Sequence, residues 1–179
     1  MFRKTDDIEY ELTFKRVRNI NLRVNSDNKI KVSAPNGTDV GFIDNFVLSR
    51  RDFINAAISR NEMKIPIGEA EVSNAEIYRK LYEIHREMYK LFSEYNFRLP
   101  TLKIRDMKSQ WGNCRKAQSI ITLNKRLYML PRRQIELVCA HELSHMAEAN
   151  HSSAFYAVLD GVMPDRRERE AELAKYKLI

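Results

Sequence analysis

The sequence predicts an α+β fold in which a strand-rich beginning gives way to a helix-dominated remainder. Two observations lead there. Between Ile8 and Ala34 apolar residues alternate singly, the period of a half-buried strand, and beyond Val40 they recur every three or four residues, the period of an amphipathic helix. A third observation gives the fold a purpose: three of the chain's 4 histidines fall between His141 and His151.

The elements follow in order. Ile8, Tyr10, Leu12 and Phe14 alternate, then Ile20, Leu22 and Val24, then Ile30, Val32 and Ala34, with the turn clusters "NSDN" and "APNG" after the second and third runs. This predicts an antiparallel β-meander. A helix is expected from Val40 to Arg60, with Phe42, Phe46, Phe53 and Ala57 on its inner face and Thr38 or Asp39 as N-cap. The stretch "NEMKIPIGEAEV" holds Pro66 and Gly68 and reads as a linker. Residues 1–62 are therefore expected to form a strand-rich subdomain and 73–179 the body of the molecule.

A long helix is expected from Ser73 to Tyr95, with Ile77, Leu81, Ile84, Met88 and Leu91 as its buried stripe and His85 beside it. Pro100 stops it. "TLKIRDM" and "SIITLNKRL" read as short strands and the intervening "KSQWGNCRKAQ" as a loop. Pro131 suits the first turn of the helix "RRQIELVCAHELSHMAEA", since its missing N–H costs nothing there. A further helix starts at Ser152 or Ser153, and "DRREREAELAKYKLI" reads as a charged C-terminal helix.

Composition bounds the function. The 179 residues, 44% hydrophobic and 31% charged, suit one globular domain or one with an attached subdomain. No apolar run approaches the roughly 18 residues of a membrane span. The opening "MFRKTDDIEY" lacks the apolar stretch of a secretory signal, so a cytoplasmic protein with no membrane partner is expected. Cys114 and Cys139 are too few for a disulfide framework. The net charge of +7 favours an anionic partner, nucleic acid, nucleotide or phosphate, although solubility alone can account for such a charge.

The histidines carry the chemistry. His141 and His145 differ by about 40° in direction and about 6 Å in rise on a helix, so their imidazoles converge on one ion. Glu142 beside them completes H-E-x-x-H, the arrangement of zinc hydrolases. On an unbroken helix His151 would lie about 9 Å beyond His145, out of reach of the same metal. The helix must end first, and Asn150, tolerant of the left-handed conformation, is the expected break. The spacing equals that of metzincin proteases, with Glu148 in place of their glycine. Three neutral imidazoles suit one Zn²⁺ per chain and leave a position open for a water that ionises near neutral pH, with Glu142 as general acid/base.

"IRDMKSQWGNC", "ITLNKRL", "HELSHMAEANHSSAFY" and "MPDRR" together resemble the YgjP-like metal-dependent hydrolases, relatives of the SprT and WLM metalloproteases. The resemblance covers about Leu102 to Arg167. It implies a zincin-like core over 73–179, His141, His145 and His151 as ligands, Glu142 as catalytic residue, and peptide bonds as substrate. Gln110, Asn113 and Tyr156 depart from the family's arginine, serine and tryptophan, and none belongs to the metal triad.

Around this centre, Glu148 could orient a ligand's second ring nitrogen. Arg105 and Lys108 could bind an anionic substrate or pair with Asp106, and Tyr156 could bring a hydroxyl near the metal. Cys114 and Cys139 read as packing residues. The leading function is a zinc-dependent metallopeptidase. The alternatives are a metal-dependent nucleotide pyrophosphatase, suggested by Arg105, Lys108 and the charge, and a nucleic-acid-associated SprT-like protease whose basic surface tethers it.

Overall fold

The amino-terminal alternation folds as four strands, β1 (Phe2–Thr5), β2 (Ile8–Lys15), β3 (Asn21–Val24) and β4 (Ile30–Pro35). They belong to one of two compact units, Met1–Lys64 and Ile65–Ile179, into which the computed structural model, describing residues 1–179, divides. β1 was not expected. It pairs antiparallel with β2 through the tight turn Asp6–Asp7, where Asp6 takes φ +53°.

The sheet is also not a sequential meander. Its order is β1-β2-β4-β3, with β2 and β4 parallel and β3 antiparallel to β4. β1 takes one edge of β2, so β4 takes the other, and the segment Arg16–Ile20 carries the chain past that position to β3. Ile8, Tyr10, Leu12, Ile30, Val32 and Ala34 form one buried face.

Two helices cover that face, α1 (Val40–Ser49) and α2 (Arg51–Glu62), where one was expected. Asp39 is the N-cap, its carboxylate accepting from the Phe42 N–H at 2.9 Å. The chain bends at Arg50, with φ −104° and ψ 13°. The buried stripe is Ile43, Val47 and Ile54, one position beyond the expected one, while Phe42 and Phe53 are 63% and 49% exposed. Both stripes share the helical period, so periodicity alone could not choose between them.

The second unit opens inside the expected linker. Ile65–Ile67 is a strand, β5, and pairs parallel with the closing strand Tyr176–Leu178, so the C-terminal helix ends before the chain does. α3 (Asn74–Lys90) is capped by Ser73 and buries Ile77, Leu81, Ile84 and His85. It ends one turn earlier than expected; Phe92, not Leu91, enters the core. Asn96, in the left-handed conformation at φ 49°, ends the turn that follows.

Then come β6 (Thr101–Arg105), β7 (Gly112–Arg115) and β8 (Ile120–Asn124), in the order β6-β8-β7. β7 lies within the predicted loop. It pairs antiparallel with β8 and forms an edge of the sheet. Asn124 is fully buried and donates to the Met107 and Gln110 carbonyls at 2.7 and 2.8 Å, pinning the segment that leads into β7. α4 (Arg132–Ala147), with Pro131 as N-cap, is the central helix, followed by α5 (Ser153–Val162), α6 (Arg166–Leu173) and the closing strand β9. Ile135, Leu137, Val138, Cys139, Leu143 and Met146 bury α4 on several faces, as expected of a core helix.

In the first unit Asp44 accepts hydrogen bonds from Arg3 and Tyr10. The Arg3 bond, then the Tyr10 bond, holds the Asp44 carboxyl below its ordinary range. Burial, then Asp44, pushes the Tyr10 phenol up to about 12. The Tyr10 contribution to stability is present below the phenol's ordinary pKa and lost as pH rises through about 12. Denaturant unfolding between about pH 9 and 12 is expected to show this alkaline loss in the wild type and less of it in Tyr10→Phe. Equal slopes in the two proteins would show that Tyr10 does not carry it.

Candidate metal centre

Because α4 is buried on several sides, His141 and His145 project from a rigid support. Their ring centroids lie 5.0 Å apart, and those of His151 lie 5.0 and 4.6 Å from the two. One nitrogen from each ring falls within 4.8 Å of the others. The Nε2 atoms of His141 and His151 face each other at 3.0 Å. Tetrahedral zinc with ligands at about 2.0–2.1 Å needs nitrogens roughly 3.3 Å apart, so the donor set fits the ion in kind, with the His141–His151 pair close to that spacing.

His151 reaches the group because α4 stops at Ala147. The break is at Glu148, extended at φ −124° and ψ 116°, and not at Asn150, which is absent from the left-handed residues. The extended Glu148 turns the chain at once and offers its main-chain carbonyl to His145 Nδ1 at 3.2 Å. That contact leaves Nε2 of His145 to face its partners. The residue expected to orient a ligand by its carboxylate thus does so with its backbone. Ser152 then caps α5, accepting from the Phe155 N–H at 3.4 Å.

Phe155 is the residue the sequence did not announce. Fully buried, it places its ring 5.0, 4.5 and 4.8 Å from those of His141, His145 and His151, a shared apolar floor. Only its place three residues after the Ser152 cap, on the first turn of α5, hinted at it. Burial, then the neighbouring histidines and Arg166, lowers His141 to about 4, and burial also lowers His145. Both rings are thereby kept neutral at physiological pH, the form that ligates metals.

Glu142 is 6% exposed, and burial pushes its carboxyl up to about 8. It lines two cavities, one with Trp111, Val138 and Leu173, the other with Cys114, His145 and His151, and both include Gly112 and His141. Gly112 on β7 stands tight against Glu142: a Cβ there would lie 2.8 Å from a Glu142 carboxylate oxygen and 2.9 Å from its Cγ, so the Glu142 side chain would have to shift.

The other candidates fall at varied distances from this centre. Arg105 and Lys108 line neither cavity; Arg105 borders a separate one with Tyr78 and Lys125. Asp106 pairs with Arg126 at 2.9 Å and Lys125 at 3.8 Å instead of with either of them. The Tyr156 ring lies 6.4 Å from that of His151 and under the Arg166 guanidinium at 4.8 Å. Cys114 is half-buried, its thiol pushed up to about 11 by burial and directed at Met146 Sδ, 3.5 Å away. Cys139 is buried, which raises its thiol further. His85, in the core, faces the Pro100 carbonyl at 3.4 Å and takes no part in the triad.

An H-E-x-x-H helix, a third histidine returned by a helix break and a buried carboxylate beside them define a metal-dependent hydrolase of the metallopeptidase class. Residues 69–176 match the YgjP-like metallopeptidase domain, and the chain belongs to that family. Among solved structures the chain is similar to the metallopeptidase zymogen abylysin of Pyrococcus abyssi, with TM-score 0.49 and 20% identity over 55% of this chain and 99% of that one. The comparison with curated proteins found no match.

Two substitutions test the construction. Gly112→Ala is expected to displace the Glu142 carboxylate while the imidazoles keep their metal, so zinc content should hold as activity falls. Loss of both together would mean that Gly112 supports the whole centre. Phe155→Ala is expected to cost about 3–5 kcal/mol in stability and to weaken zinc in competition with a chelator. Unchanged zinc affinity would show that the floor does not position the ligands.

Proposed function

We propose that the protein is a zinc-dependent metallopeptidase in which His141, His145 and His151 hold the ion and Glu142 moves the protons. The observation that carries this reading is the convergence of three imidazole nitrogens, all within 4.8 Å, beside a carboxylate buried to 6% exposure. An all-nitrogen donor set of three suits zinc and leaves a coordination position open. Zinc bound there supplies Lewis acidity toward water and toward the scissile carbonyl.

The chain's own residues do the rest. Glu142, one residue from His141, stands beside the triad without belonging to it. Burial raises its proton affinity and a neighbouring cation would draw its pKa back down, so that the ionised carboxylate can take a proton from the attacking water and return it to the departing amine. His145 is held by the Glu148 carbonyl, which fixes its tautomer with the proton on Nδ1. Edge strand β7 runs past Glu142 with one side unpaired, a main-chain edge on which an extended peptide can align. That edge favours a polypeptide over a nucleotide, since Arg105 and Lys108, the residues that suggested phosphate, line neither cavity.

Purified protein is expected to hold about one zinc per chain by this donor set, and His141→Ala, His145→Ala and His151→Ala should each lower it together with activity. Glu142→Gln keeps the shape and loses the base. It should retain zinc and lose about 10²–10⁴-fold in turnover on an unfolded polypeptide substrate. Wild-type turnover by Glu142→Gln with zinc in place would end this mechanism.

A further inference from the structure

We infer that the outer face of the first unit's sheet binds a single nucleic-acid strand through its phosphates. Such binding is independent of the peptidase reading, concerns Met1–Lys64 alone, and can be read without turnover.

Strand alternation makes the face. Tyr10, Leu12, Ile30, Val32 and Ala34 pack with the residues of α1 and α2, so the side chains between them point the other way. Register sets these in rows: Phe2, Glu11, Lys31 and Arg23 across the sheet, then Thr13, Ser33 and Asn21, then Lys15 at the end of β2. All but Phe2 line a cavity of about 450 Å³, which Val17 of the segment after β2 borders at one end.

Charge decides the occupant. From Leu12 to Ser26 the chain carries Lys15, Arg16, Arg18 and Arg23 and no acidic residue, and all four cations are exposed. The ion pairs of this face are Lys4–Glu9 and Lys31–Glu11, at 3.4 and 3.6 Å, which leaves those four without a carboxylate. By contrast Arg3 and Arg51, which tie β1 and its turn to the helices, each hold an aspartate. Cations gathered without counter-charge repel one another, a cost that a polyanion removes. The cavity favours a single strand over a duplex. Thr13, Ser33 and Asn21 give it neutral hydrogen-bonding groups, and its volume admits a splayed base that a duplex keeps stacked. Phe2, 85% exposed on the same face, offers a ring on which a further base can stack.

The full chain would be titrated with a fluorescein-labelled oligothymidylate of about 20 nucleotides and followed by anisotropy. Each phosphate contact on a single strand adds about 0.7 to the fall of log K with log salt, so four contacts give a slope of roughly −3. Lys15→Gln combined with Arg23→Gln should halve that slope and weaken binding at low salt by about tenfold or more. Arg16→Gln combined with Arg18→Gln should do the same from the segment between β2 and β3, which guards against a folding defect in the first variant. Lys90→Gln combined with Lys103→Gln removes the same charge from exposed positions of the second unit and should change neither quantity. Equal losses in this control and in the two face variants would reveal a general charge effect and overturn the site. A duplex of the same length binding as tightly as the single strand would overturn the choice of strand. Polyglutamate displacing the oligonucleotide as well as unlabelled oligothymidylate does would overturn nucleic acid as the occupant.

Discussion

The centre depends on how α4 ends. A helix terminus leaves carbonyls without partners, and a histidine four residues beyond the last helical residue has no reason to fold back. Here the two problems have one solution. Lys116, just after β7, donates its ammonium to the Ala147 carbonyl at 2.8 Å, placing a cation where the helix dipole favours one. His145 takes the next carbonyl, that of Glu148, at 3.2 Å. With both carbonyls occupied the chain can leave the helix in an extended conformation, and His151 swings toward the rings that a continuing helix would have carried it past. The cap, the second contact of one ligand and the return of the third are one local event.

Burial then sorts the protonation states. Desolvation penalises charge of either sign, so it lowers His141 and His145 and raises Glu142. The imidazoles are left with lone pairs to donate, and the carboxyl with an appetite for a proton that an ordinary surface glutamate lacks. Phe155 contributes to this by excluding water beneath all three rings. A polar residue in its place would hydrate the ligands and weaken the discrimination.

How much of this the sequence disclosed follows from the range of the interactions. The spacing of His141, Glu142 and His145 is helical geometry, local and readable. That the helix had to break before His151 was equally readable, because the alternative violates a distance. Where it broke was not: Asn150 had the better conformational credentials, but Glu148 had the partner, the ring of His145 three residues before it, and a side-chain contact of that kind lies outside any propensity. β7 escaped for the same reason. "GNCR" lacks the branched residues of a strand, and its pairing is owed to β8 and to the Asn124 side chain that holds the preceding segment. The two strands at the ends of the second unit, Ile65–Ile67 and Tyr176–Leu178, are three residues each and stabilise one another across more than a hundred positions of sequence, which no local pattern can reveal. The phenylalanines of α1 and α2 misled in another way, since two stripes with the same period compete there and packing chose the aliphatic one.

Arg166 shows how the second unit joins its carboxy-terminal helices to the centre. Its guanidinium is 8% exposed, bonded to Asp160 at 2.6 Å and to Glu170 at 2.8 Å, and lies over the Tyr156 ring. A buried cation of this kind is costly unless its partners are well placed, and here one comes from α5 and the other from α6, the helix that Arg166 itself begins. Asp160 is on α5, the helix that carries Phe155; Glu170 is on α6, one turn before Leu173. Fixing the two helices against one another therefore fixes the floor of the metal centre and the far wall of the apolar cavity in a single framework. The positive charge also acts on His141, where it adds to burial in disfavouring the imidazolium. A residue that touches no metal ligand thus helps to set both the protonation of one ligand and the width of the pocket beside it.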